Sequence, residues 1–152
     1  MPAPDPTPDL NSSERAILQQ RLDRSPFNAW LGLRLVAGGP QHAELTLAWQ
    51  EAFISTPERR SVHGGVLASL VDAGAIFALI CTTRLLHTTV DLRVDYHAVA
   101  APGPLRVVGR VIRVGRTLST SEAEIFDVSG RLAASGRGTF MTLDVSAMSV
   151  PA

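Results

Sequence analysis

Asp72 stands alone: from Val62 to Thr83 it is the only Asp, Glu, Lys or Arg. The stretch reads VHGGVLASLVDAGAIFALICTT, apolar on every side if wound as a helix. A lone carboxylate there is costly to bury unless it is paired or used for chemistry. His63-Gly64-Gly65 opens the same stretch and offers backbone N–H groups at a helix N-terminus, where the helix dipole favours negative charge. Glycine also lets a ligand approach the backbone closely. An acid/base group plus an oxyanion donor is what attack on a carbonyl needs. Burial raises the pKa of such a carboxyl toward general-base strength, unless hydrogen bonds to its ionised form compensate.

The spacing makes one demand. Asp72 follows Gly64 by eight residues, so on one helix they stand roughly 12 Å apart. Groups acting on one carbonyl must lie within a few ångströms of it. Two antiparallel copies of the helix meet that condition, with Asp72 of one facing Gly64 of the other. A helix apolar on all sides also asks for cover on all sides, and one curved sheet wraps only part of it. A homodimer answers both needs.

The elements around this helix follow from pattern. Asn11, Ser12 and Ser13 offer an N-cap to a short helix, ERAILQQRLDR, ending before Pro26. LGLRLVAGG and HAELTLAW alternate about Gly38-Gly39-Pro40, a hairpin signal. The long helix covers about 64–82. TTVDLRVDYH then alternates, with Val90, Leu92, Val94 and Tyr96 assigned to the core face and Asp91, Arg93 and Asp95 to the other. Thr89 falls opposite Val90 and Leu92, so it reads equally as a surface β-former or as a site residue on a strand that twists at its start. After Pro102-Gly103-Pro104, LRVVGRVIRV, LSTSEAEIFDV and RLAASGRGTFMTL follow with short turns, which predicts antiparallel neighbours. The fold class is α+β, an antiparallel sheet curled round one long central helix. Residues 1–10 read as a proline-rich disordered leader, 11–145 as the single domain and 146–152 as a loose tail.

Composition narrows the function. Lys plus Arg and Asp plus Glu are 14 each, so the formal net charge is zero. A nucleic-acid binder needs a basic face, and none is implied. Cys81 is the only cysteine, which leaves no disulfide framework and no thiolate metal site; it reads as core packing. His42, His63, His87 and His97 show no ligand spacing, so no metal is expected, and His63 reads more readily as a cap or packing group than as a ligand or base. The N-terminus lacks the charge and apolar run of a signal peptide, which points to the cytoplasm. The stretch 64–81 approaches membrane-spanning length, but the central Asp72 and the glycines argue against insertion. Gly64-Gly65 opens no phosphate loop, because no GxxxxGK[ST] follows.

HGGVLASLVDAG, TVDLRVDY and RVIRVGRTLSTSEAEIFDVSGRLAASGRGTF together resemble the hotdog-fold acyl-CoA thioesterases, closest to the phenylacetate-degradation (PaaI-like) subgroup. The similarity runs from about Phe27 to Leu143. It implies a sheet wrapped round the helix, dimers joined edge to edge or tetramers, and hydrolysis of an acyl-CoA thioester with no cofactor beyond the CoA of the substrate. By resemblance Asp72 activates water or attacks the thioester, Gly64 supplies the oxyanion N–H, Thr89 orients water, and Arg116 lies near the CoA phosphates. By the same resemblance His63 counts with the catalytic residues, and Gly65, Thr56 and Phe77 count with Arg116 among those that bind substrate. The family's asparagine six or seven residues before the motif histidine is missing; Pro57 and Thr56 occupy those positions, and Thr56 is the stand-in. Arg59-Arg60 reads as a solubilising loop or a phosphate contact. An acyl pocket is expected near Phe53, Ile76, Phe77, Ile80 and Trp30. The alternative is a non-catalytic acyl-CoA binding or sensing domain on this fold. A hydratase is a third reading.

Overall fold

In the computed structural model, which describes residues 9–144, helix α1 (Ser12–Asp23) begins on a capping box. Asn11 accepts from the Glu14 N–H, and Glu14 accepts from the Asn11 N–H, both at 2.9 Å. Ser25 caps a second, unanticipated helix, α2 (Pro26–Leu31), which Pro26 opens and Gly32 closes in the left-handed region at φ 74°. The strands are β1 (Leu33–Gly39), β2 (His42–Leu47), β3 (His87–Tyr96), β4 (Leu105–Arg113), β5 (Leu118–Phe126) and β6 (Leu132–Thr142), with α3 (Gly64–Thr83) between β2 and β3. They form one antiparallel sheet in the order β1-β2-β4-β5-β6-β3, curled round α3 as expected.

One connection between the strands after α3 is not a hairpin. β3 does not pair with β4; residues 97–104 carry the chain back across β6 and β5, and β4 joins β2. The crossing segment is held by Ala133 O, which accepts from the N–H groups of His97 and Ala98, and by Asp127, which accepts from Ala101 N–H. β3 is thereby left at the sheet edge. The other edge, β1, is covered: the Gln19 side chain of α1 accepts from Leu35 N–H at 2.8 Å and donates to Leu33 O at 3.0 Å.

α3 is the only helix among the described residues long and apolar enough to cross a membrane, and it forms the core of the sheet. It approaches the strands so closely that a Cβ on Gly109 would overlap the Gly74 carbonyl. The Ser121 hydroxyl donates to Ala75 O at 2.7 Å on the same face. The expectation that one chain leaves a broad apolar face bare is corrected here. Leu67, Leu70, Val71 and nearly all of 73–81 are buried within a single chain. What stays partly open is the first turn, 64–66, and then a stripe of Ala68, Ser69, Asp72 and Ile76.

Candidate active site

β3 has a bulge. Thr89 pairs with Phe140 and Asp91 with Thr139, which leaves Val90 unpaired. Phe140 is buried on the helix side, so its partner Thr89 faces α3 as well, and so does Leu92 beyond the bulge. The extra residue reconciles the alternation that had set Thr89 against Leu92. It also corrects Val90, which is thrown outward and 57% exposed. Thr89 Oγ1 donates to Asp72 Oδ1 at 2.7 Å. Asp72 is half-buried rather than sealed, and its Oδ2 has no hydrogen-bond partner among the described residues. A carboxylate held by one hydroxyl and open on its other oxygen can take a proton or attack.

Asp72 lines a groove of about 350 Å³ along the face of α3. Phe77, Ile76 and Ile80 line it as expected, together with Arg21, Phe27 and Ser69. Two anticipated residues are not there. Phe53 is buried beneath the rings of Trp30 and Trp49, and Trp30 stacks on Phe27 outside the groove. Ser69 was legible in principle, three residues before Asp72 on one helix face. Phe27 and Arg21 were not, because their contact depends on how α1 and α2 fold back.

The HGG turn resolves into distinct roles. His63 is the N-cap of α3, and its Nδ1 accepts from Gly65 N–H at 2.8 Å. The cap reading of His63 is the one the geometry bears out. It consumes the Gly65 N–H and leaves the Gly64 N–H with no partner among the described residues. Tyr96 lies across this turn, its hydroxyl donating to Gly64 O at 2.9 Å. Although inward-facing on β3, Tyr96 is 56% exposed and lines a second cleft with Gly64, Leu67 and Val62.

The remaining expected residues do not converge. Thr56 starts the exposed tip of the 54–62 loop, whose stem is closed by the Ile54–Val62 bridge and the Ser55–Ser61 hydroxyl pair. It lines neither cleft. Arg60 pairs with Glu51 at 3.1 Å, and Arg59 is exposed beside it. Arg116 sits in the exposed β4–β5 turn, also outside both clefts. Cys81 is buried, and burial pushes its thiol up to about 11, which fits packing rather than reactivity.

An antiparallel sheet curled round one long central helix is the hotdog fold. Residues 60–134 match the thioesterase superfamily. A crystal structure from that superfamily is 42% identical, with a TM-score of 0.82, and covers 88% of this chain and 100% of its own. The chain therefore belongs to the thioesterase superfamily. Human acyl-coenzyme A thioesterase 13 is 28% identical over 134 residues, 86% of this chain and 94% of that protein. The medium/long-chain acyl-CoA thioesterase YigI of Salmonella typhimurium is 26% identical over 131 residues, 76% of this chain and 84% of that protein. A shorter match, 30% identical over 83 residues, spans 59% of a relative from Saccharolobus solfataricus. The E. coli PaaI protein from the phenylacetic acid degradation operon shares the fold at a TM-score of 0.77, over 88% of this chain and 97% of that one; its 19% identity speaks to fold and not to subgroup.

Proposed function

We propose that the chain hydrolyses acyl-CoA thioesters as a homodimer, with Asp72 as base or nucleophile and the Gly64 N–H of the second copy as oxyanion donor. The observation that carries this is the Thr89–Asp72 hydrogen bond, with Asp72 lining a groove that Ile76, Phe77, Ile80 and Leu86 also line. Relatives named as acyl-CoA thioesterases support the substrate class.

The bare edge of β3 supports the dimer. Unpaired strand edges are templates for further pairing, and among the described residues β1 is covered while the outer edge of β3 is not. Thr89 marks the place of Asp72 along β3, and Tyr96 marks that of Gly64. Antiparallel pairing of two β3 strands about a two-fold near Leu92 and Arg93 sets Thr89 of one copy opposite Tyr96 of the other. The open first turn of α3 then meets the open stripe around Asp72 across the two-fold.

In this site the thioester carbonyl lies between the two copies, with the acyl group in the groove. Water attacks the carbonyl carbon while Asp72 takes its proton, and the oxyanion rests on the Gly64 N–H. The C–S bond then breaks and the proton passes to the CoA sulfur. In the covalent route Asp72 itself attacks, thiolate leaves, and water hydrolyses the mixed anhydride. Neither route calls on a metal or a prosthetic group. Thiol release from a panel of aliphatic and aryl acyl-CoAs tests the reading, with Asp72→Asn beside the wild type. A loss of about 10²–10⁴-fold in kcat is expected for the folded variant. Acyl-CoA binding without turnover by the wild type would replace this reading with the binding-domain one.

A further inference from the structure

We infer that Tyr96 is a positioning residue for the oxyanion donor, an inference that rests on the hydrolase reading above. The carbonyl of Gly64 and the N–H of Gly65 belong to one peptide group. Tyr96 Oη donates to that carbonyl at 2.9 Å, and His63 Nδ1 accepts from that N–H at 2.8 Å. The peptide is held from both sides. The one amide left open at the turn, the Gly64 N–H, is joined to it through Gly64, so its direction depends only on the φ and ψ of that one residue. Glycine is the residue type least able to hold those two torsions by itself.

The ring adds a second restraint. A Cβ on Gly64 would lie 3.4–3.5 Å from Tyr96 Cε1, Cζ and Oη, so the ring already walls the turn at van der Waals distance. The two hydrogen bonds also run in series through one amide, which strengthens both. A tyrosine used only for packing has no need to place its hydroxyl on this carbonyl. Tyr96 is also 56% exposed in one chain, so burial does not explain it.

The test is Tyr96→Phe, which removes one oxygen and keeps the ring. Its kcat is expected to fall about tenfold with KM within about twofold, since the lost bond serves the charge that develops in the transition state. The ¹³C-carbonyl resonance of Gly64 should shift as its hydrogen bond is lost, while melting temperature and dimerisation stay at wild-type values. Tyr96→Leu should lose more, through the missing ring wall. A Tyr96→Phe enzyme with wild-type kcat overturns the inference, as does an unmoved carbonyl resonance. A rise in KM alone also overturns it, because that marks a substrate contact instead. A wild type inactive on every thioester is a different failure, visible in the control, and removes the hydrolase reading together with this inference.

Discussion

At the scale of single residues, the Thr89–Asp72 bond is the most direct lever on the proposed chemistry. A hydroxyl donated to a carboxylate contributes about 1.5–3 kcal/mol. Thr89→Val should therefore slow turnover by about 10–100-fold if the bond orients Asp72 for its task, whereas Thr89→Ser should retain most activity; equal rates for Val and Ser would assign Thr89 to the surface instead. Asp127 is a second residue whose environment can be read. Its side chain is fully enclosed at the β5–β6 turn. Burial by itself would raise its carboxyl, but the Ser129 hydroxyl and the N–H groups of Ala101, Arg131 and Ser129 outweigh that and hold it at about 2. The folded value lies below the ordinary 3.8, so the unfolded chain takes up the proton first. The stabilisation is fully present above about pH 5 and fades as pH falls through 4 toward 2. Thermal melts of wild type against Asp127→Asn should show a gap that is constant from about pH 5 upward and shrinks in acid; a gap that ignores pH would deny the carboxylate this role.

At the scale of elements, the position of Asp72 is set by how α3 is seated. Gly74 and Gly109 let helix and strand approach backbone to backbone, and Ser121 fixes the contact with a hydrogen bond to Ala75 O. Gly109→Ala forces the added methyl onto the Gly74 carbonyl. Overpacking of this kind costs about 1–3 kcal/mol or more, so the melting temperature should drop by roughly 4–10 °C, measurable by circular dichroism. A neutral substitution would mean that the helix can lift away from β4 without loss. The helix, the three hairpins β1–β2, β4–β5 and β5–β6, and an N-cap for α1 were all legible, because each is specified by neighbours in sequence. Helix α2 was not read, although Ser25-Pro26 is a start signal in hindsight. The bulge at Val90 was not legible either. It left only a contradiction in the alternation of Thr89 against Leu92, since period-2 reasoning has no place for one extra residue.

At the scale of the whole molecule, the two halves of the proposed site lie on one helix too far apart to serve one carbonyl. This makes the dimer itself testable. Gly64→Pro removes the open N–H, and the position tolerates it: Gly64 is the first residue of α3, and His63 before it is extended at φ −62°, ψ 134°. Gly64→Pro and Asp72→Asn should each be inactive alone. After unfolding and refolding together, half the dimers are mixed and each holds one intact site, so about a quarter of wild-type activity should return. No recovery, with mixed dimers shown to form, would place the whole site within one chain. The sequence by itself determined the α+β class, the central helix, the Asp72–Gly64 pair and the distance between them, because these rest on local periodicity and on the fixed rise of a helix. Only the tertiary structure decided which strand is left at the edge, which of the motif's N–H groups stays open, and that Thr89 reaches Asp72 while Tyr96 reaches Gly64. Those depend on a crossover, a bulge and competing hydrogen bonds between residues far apart in the chain, and no local pattern encodes them.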